Sequence, residues 1–426
     1  MKWLSKLTPA MRSRNFCIYL WTQLVSYVGT GIQTVLSSMA VYKISGHSMF
    51  WSGVAVFLNF MPNALLCPTF GGAIADKYPV RRTLYNTQIS GALQALLLAY
   101  VVIYHHHLWQ MLGCITIGAI IGSVDSPARH RLMIDIVPNE HIASARALNG
   151  TLIMSGQAIG GALSGVVFKY CGGYAGGFVI NALSYGAVIF TLHTMLLKKH
   201  EPNEEGLLKM LKAGAQYLFS EKVVLAQLIF AGVFAGIGLA FRGILPAIAK
   251  DIYRVNSETA ITSIGGYVAA ALALGSVIGT LIVSANSERL GRALRPMVLC
   301  GSFAMGVSWI LFPIVKLFVA GLPLMFIFGI GFAASFSGLR SAAAQHVKLT
   351  RKEMIGRVIG YDFFFFFGCV GISSPLIGKL TDRLGVVMTM QLIGVFMLVV
   401  SVLLNWLDRR YKILHIGVKP VGVAFT

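Results

Sequence analysis

Acidic side chains are scarce in this chain, with 15 Asp and Glu against 35 Lys and Arg among 426 residues. Charge of either sign amounts to 12%, about half the roughly 25% carried by a soluble domain. With a mean hydropathy of +0.74, so little charge cannot clothe a water-exposed surface, and an integral membrane protein is expected. The six cysteines (Cys17, Cys67, Cys114, Cys171, Cys300, Cys369) stand singly in apolar stretches. No Cys-x-x-Cys or Cys/His spacing occurs, so neither a disulfide framework nor a cysteine metal site is expected. They read as small hydrophobes. Also missing is any Gly-x-x-x-x-Gly-Lys-Ser/Thr loop, which argues against ATP as the energy source. No hydrolase or kinase signature appears, so neither enzyme nor cofactor is expected. A transmembrane barrel would show alternating segments of about 10 residues, and these are absent too.

What the chain has is apolar length: 56% hydrophobic residues, broken by short charged stretches into about twelve spans of roughly 20–30 residues. The spans are expected at 15–43, 49–75, 83–104, 108–134, 145–171 and 174–197, then at 222–253, 260–285, 295–318, 321–346, 355–381 and 387–407. This gives two six-helix halves, residues 1–197 and 222–426, joined by residues 198–221. In that linker Leu207, Leu208, Leu211, Ala215 and Leu218 recur at helical spacing, with Lys209 and Lys212 off the stripe. An amphipathic helix on the membrane surface is expected.

The net charge of +20 is placed by topology rather than for nucleic acid. Cations cluster in alternate loops: Lys2, Lys6, Arg12 and Arg14; Lys77, Arg81 and Arg82; Lys198, Lys199, Lys209 and Lys212; Arg289, Arg292 and Arg295; Lys348, Arg351 and Lys352; Arg409, Arg410 and Lys412. That is the positive-inside pattern, with both termini and the linker cytoplasmic, and it favours contact with anionic lipid. The first apolar run is too long for a cleavable signal and no small-residue cleavage site closes it. A cytoplasmic (inner) membrane location is expected.

The halves look duplicated. Arg129 and Arg340 are 211 residues apart, as are Arg146 and Arg357, while Asp76-Lys77 and Glu288-Arg289 are 212 apart. Parallel repeats of this kind place a substrate site near the midplane between the halves.

The loop after the second span runs Gly71-Gly72-Ala73-Ile74-Ala75-Asp76-Lys77-Tyr78-Pro79-Val80-Arg81-Arg82. It resembles the loop 2–3 signature of the major facilitator superfamily, with Gly72, Asp76, Lys77, Arg81 and Arg82 filling the pattern and Pro79 replacing the second glycine. Ser287 to Arg292 reads as a decayed second copy. Asp125 to Arg129, Asp135 to Pro138, Ala145 to Asn149, Glu353 to Val358 and Thr381 to Gly385 are similar to the branch holding the enterobactin exporter and macrolide efflux proteins. The resemblance implies the major facilitator fold, a monomer that works by alternating access, and a cavity lined by the first, fourth, seventh and tenth spans. It also implies a cytoplasmic gate, in which Asp76 meets charges on the fourth span and the N-terminal end of the eleventh. Gly72, Lys77, Arg81, Arg82, Arg131 and Asp135 would share in that gate.

Ionisable groups inside spans are expensive and are functional candidates by default. Asp125 and Arg129 lie on the fourth span, Arg242 on the seventh and Arg340 on the tenth, while Gln23, Tyr27, Thr30 and Gln33 share a face of the first. Arg242, in Phe241-Arg242-Gly243-Ile244-Leu245-Pro246, sits where Gly243 and Pro246 can loosen the helix. Its planar guanidinium suits a carboxylate or phosphate; a structural pair with an acid on a neighbouring helix, or snorkelling to the outer interface, is the alternative. Substrate contact is expected at Arg242, Arg129, Arg340, Gln23, Tyr27 and Gln33, and proton coupling at Asp125, with Asp362 as a second candidate. Asp125 and Arg129 are four apart, so a permanent ion pair between them is the competing reading. His105, His106 and His107 are adjacent on a short turn and cannot all converge on one ion, so no metal site is expected. The Phe363–Phe367 run is expected to face lipid and pack helices, and Gly156, Gly160, Gly161 and Gly165 to allow close helix approach.

Together these point to a proton-coupled exporter of a small organic solute, anionic or carboxylate-bearing, for which a siderophore fits. Multidrug or macrolide efflux, siderophore uptake, a membrane sensor and a lipid flippase are the rival readings.

Overall fold

The computed structural model describes residue 11 and residues 13–415, apart from 106, 139–140, 196–206, 286–289 and 352–353. Side chains at 14, 75–76, 143–144, 146–147, 207–213, 290–292, 355–357 and 359 lie outside that description. Asp76, Arg146, Arg357, His106 and the Glu288–Arg292 repeat therefore fall, wholly or in their side chains, outside the described residues.

The described chain is helical between its turns. Six helices come first: α1 (Arg14–Ile44), α2 (Met49–Leu66, continued through Cys67–Gly71 and Gly72–Lys77), α3 (Val80–Tyr104), α4 (Leu108–Ile136), α5 (Ile142–Tyr170) and α6 (Gly173–Thr194). A shorter helix, α7 (Leu207–Ser220), joins them to α8 (Lys222–Ala240, continued to Ile252), α9 (Glu258–Ala285), α10 (Leu290–Leu311), α11 (Phe318–Thr350), α12 (Ile355–Leu384) and α13 (Val386–Tyr411). All but α7 are long and apolar enough to cross a membrane, which gives twelve spans. In hydrocarbon a helix satisfies its own backbone bonds, which is why apolar length alone dictates this architecture.

Within the first set α1 packs on α5 and α6, α3 on α4 and α6, and α2 on α4. Within the second, α11 packs on α9, α10 and α8, while α13 covers α10. The two most extensive seams between the sets are α2 against α12 and α5 against α9, and the Phe241–Ala247 part of α8 also meets α1 and α2. Lipid supplies no hydrophobic drive between helices, so small residues that let backbones approach decide these seams. On α5, a Cβ at Gly160 would overlap the carbonyl of Val28 on α1, and one at Gly165 would overlap Ser263 on α9. The glycines of the fifth span thus serve both an internal contact and a seam.

The linker differs from a helix lying only on the membrane surface. Tyr217 and Leu218 are buried against Val224, Leu228, Ala343, Val347 and Val358. The Tyr217 hydroxyl lies 2.8 Å from that of Thr350. The end of α7 is therefore docked on the second set of helices, because its stripe finds an apolar protein surface there. The Phe363–Phe367 run is divided between an outward face and helix packing, as expected. Phe364 is exposed, whereas Phe366 packs tilted against Phe336 at 5.2 Å and Phe367 against Phe60 at 5.8 Å.

One end of the bundle carries the start of α1 and the end of α13 (the terminal face); the other is the far face. Ser38, Lys43 and the start of α2 lie toward the far face, with the ends of α8 and α12.

Candidate functional site at the seam between the helix sets

Pro246 shapes the part of α8 that carries Arg242. Proline has no N–H to give to the carbonyl four residues earlier, and its ring crowds that carbonyl. The residue four earlier is Arg242. The helix tightens over Phe241–Ile244, and the freed Arg242 carbonyl accepts the Ser38 hydroxyl of α1 at 2.8 Å. The guanidinium then reaches across the seam, donating from Nη2 to Gln157 Oε1 on α5 at 2.5 Å. Among the described residues no ion pair involves Arg242. The structural alternative of an acid on a neighbouring helix is therefore not realised among them.

The other two arginines are compensated. Arg129 bonds the Asp125 carboxylate one turn away on α4. Gln88 of α3 grips both members, donating to Asp125 Oδ1 at 2.7 Å and accepting from Arg129 Nη2 at 3.1 Å. Thr87 donates to the same carboxylate oxygen at 2.7 Å. Tyr27 of α1 lies under the Arg129 guanidinium at 5.8 Å. Arg340 on α11 pairs instead with Asp362 on α12, its Nε 2.7 and 2.9 Å from the two carboxylate oxygens. Its guanidinium lies over Phe336 at 4.9 Å and Phe363 at 5.9 Å. The duplicated arginines thus pair differently, because the position one turn before Arg340 holds Phe336 where the first copy holds Asp125. About a third of the Arg340 side chain (34%) is exposed, whereas that of Asp362 is mostly buried (10%).

The polar face of α1 is split. Gln23 is fully buried with neither amide atom bonded, and Asn149 Oδ1 and Arg129 Nη1 are also unpartnered among the described residues. Gln33 accepts from Asn181 Nδ2 of α6 at 2.7 Å, an internal bond. Thr30 spends its hydroxyl on the Ser26 carbonyl at 2.9 Å.

Of the expected gate, the Asp76 side chain lies outside the described residues. Arg81 binds the carbonyl of Met195 just past the end of α6. Lys77 and Arg82 are exposed, and Arg131 and Asp135 are half-buried on α4. A Cβ at Gly72 would have its nearest neighbour at 3.7 Å, so this glycine is not required by crowding. His105 and His107 are exposed, and no cluster of three metal-ligating side chains occurs among the described residues.

Gln157, Gln88, Thr87 and Asn181 were not among the candidates from sequence. Each is a polar group in an apolar span, a weaker signal than a charge because such groups so often satisfy only their own neighbours.

The Major Facilitator Superfamily model matches residues 19–372 of this chain. The chain belongs to that superfamily. It is a multi-pass membrane transport protein, a secondary transporter, and not an enzyme. A staphyloferrin A transporter from Staphylococcus aureus is 22% identical over 380 residues, covering 86% of this chain and 90% of the relative. YfmI of Bacillus subtilis, an uncharacterized MFS-type transporter, is 22% identical over 410 residues, covering 92% and 95%. Among solved structures, an inward-facing, unoccupied bacterial homolog of the human lysosomal transporter Spinster superposes with a TM-score of 0.72 at 13% identity, covering 93% of this chain and 97% of that one. The nucleoside transporter NupG gives 0.69 at 15% identity, covering 92% and 99%. These likenesses concern the fold.

Proposed function

We propose that this superfamily member is a proton-coupled exporter of a small anionic solute bearing carboxylate or a similar oxyanion. The carrying observation is Arg242, a cation at the seam whose side-chain partner is a neutral amide. Of the three arginines that α4, α8 and α11 carry as site candidates, Asp125 and Asp362 neutralise the other two. One positive charge remains, held by Pro246 and Gln157 where a carboxylate could take its fork bidentately. A siderophore is such a solute, in keeping with the named activity of the staphylococcal relative and with the resemblance to the enterobactin-exporter branch. The two intramembrane carboxylates supply candidate proton carriers for coupling. Alternate cationic loops support a cytoplasmic terminal face and an inner-membrane location.

The experiment is a binding titration of purified protein with one carboxylate ligand and one cationic ligand. Arg242→Lys should weaken the carboxylate, since a point charge cannot reproduce the planar fork. Arg242→Ala should weaken it further, by about 2–5 kcal/mol for a desolvated pair. The cationic ligand should hold or gain. Equal carboxylate affinity across the three proteins would return Arg242 to a structural role, and selective binding of the cation would favour drug efflux.

A further inference from the structure

The N-terminus of α2 lies at the far face and begins at Met49, preceded by Ser48 in extended conformation. A serine there ordinarily turns its hydroxyl onto the N–H groups of its own helix. Here Ser48 makes no such bond. The cap comes from the other set of helices. Asp382, near the end of α12, accepts the Met49 N–H at Oδ1 (2.7 Å), and the Phe50 N–H and Ser48 hydroxyl at Oδ2 (2.9 Å each). Both carboxylate oxygens therefore sit on the positive end of a helix that belongs to the opposite half.

Two glycines make this reach possible. A Cβ at Gly378, one turn below Asp382, would overlap the Met49 carbonyl, and one at Gly53, one turn along α2, would overlap Ser374. The two backbones touch, so a side chain as short as aspartate spans the seam. A second link at this face, Lys43 of α1 to Glu258 of α9 at 2.6 Å, joins side chains that are each about half exposed (54% and 45%). Such a pair contributes little, whereas an N-cap is a stronger tie because it satisfies backbone donors that have no helical partner.

We propose that Asp382 is the latch that holds the far face closed, by capping α2 from across the seam. For the far face to open, α2 and α12 must part there, and Met49 and Phe50 lose their acceptor. Ser48 then becomes free to turn back and cap its own helix, so the same N-terminus has two alternative caps, one for each arrangement. The latch is independent of which solute the seam binds.

The test uses spin labels at His107 and Lys316, exposed residues on far-face loops of the two sets. The labels go into full-length chain lacking the six native cysteines, in lipid nanodiscs and without solute. Chain with Asp382 should give mainly the short distance of a closed far face. Asp382→Asn should raise the long-distance population, Asp382→Ala more, and Asp382→Lys most, since it sets a cation against the positive helix end. The Ala change should shift the closed-to-open ratio by roughly two- to thirtyfold, the equivalent of a lost N-cap. Should the Ala or Lys chain fail to fold, the near-isosteric Asp-to-Asn comparison decides alone. Identical distributions for Asp and Asn, or a shift toward closure, overturn the proposal.

Discussion

Buried charge is costly, and Asp125 and Arg129 show how this chain handles that cost at the level of single residues. The pair alone would leave donors and acceptors unmatched on both groups. Gln88 supplies one of each, and Thr87 adds another donor. Hydrogen bonds to charged groups are each worth about 1.5–3 kcal/mol, so Gln88→Leu, which removes two, should lower unfolding stability by about 3 kcal/mol or more. Thermal melts in detergent would check this, and an unchanged melt would mean that water replaces the amide. Asp125→Asn asks something different of the same place. It keeps an acceptor for Thr87 and Gln88 but removes the charge that Arg129 meets. Gradient-driven accumulation should be lost while solute exchange, which needs no net proton release, persists. Accumulation at the normal level would move the proton role to Asp362 or elsewhere.

At the level of elements, α5 carries a contrast within one helix. Gly160 lies against the Val28 backbone of α1, whereas nothing lies within 4 Å of a Cβ built at Gly150. Gly160→Ala should therefore force α1 and α5 apart and cost about 1–3 kcal/mol, the usual penalty for overpacking. Gly150→Ala should be neutral or stabilising by about 0.5–1 kcal/mol, since alanine loses less freedom in a helix. Melting temperatures of the two proteins give the comparison, and similar losses at both positions would show that general helix propensity, not the α1 contact, sets the effect. The same logic explains α8. One proline frees one carbonyl, Ser38 takes it, and Arg242 is fixed at the seam as a consequence.

At the level of the whole molecule, the terminal face should be the cytoplasmic one. A single cysteine at Glu204, in the segment before α7, should resist an impermeant reagent applied outside intact cells and react once the membrane is opened. Labelling from outside would invert the topology. Asp76→Asn is a second test at this scale. If the loop after α2 acts as the superfamily gate, transport should fall while solute binding and melting temperature stay close to normal; wild-type transport would mean that the gate role does not carry over.

Twelve spans, their approximate ends, the joining helix and the cationic loops could all be read from the chain because each depends on a local sum. A stretch of about 20 apolar residues must cross or be buried whatever its neighbours are. Arg242 stood out for the same reason, as a charge within such a stretch beside a proline. Partners could not be read that way. That Arg129 finds Asp125 on its own helix but Arg340 finds Asp362 on the next, that Gln157 meets Arg242, and that Asp382 caps α2 more than 330 residues away, all depend on how each helix is rotated and how closely it approaches its neighbour. Those rotations are set by where glycines let backbones touch, and hydropathy carries no record of which helix stands opposite. The sequence alone determined that this chain spans a membrane twelve times and where its charges had to be explained. The tertiary structure decided which charges pair with a carboxylate and which, like Arg242, meet a neutral amide, because that depends on which helix stands opposite.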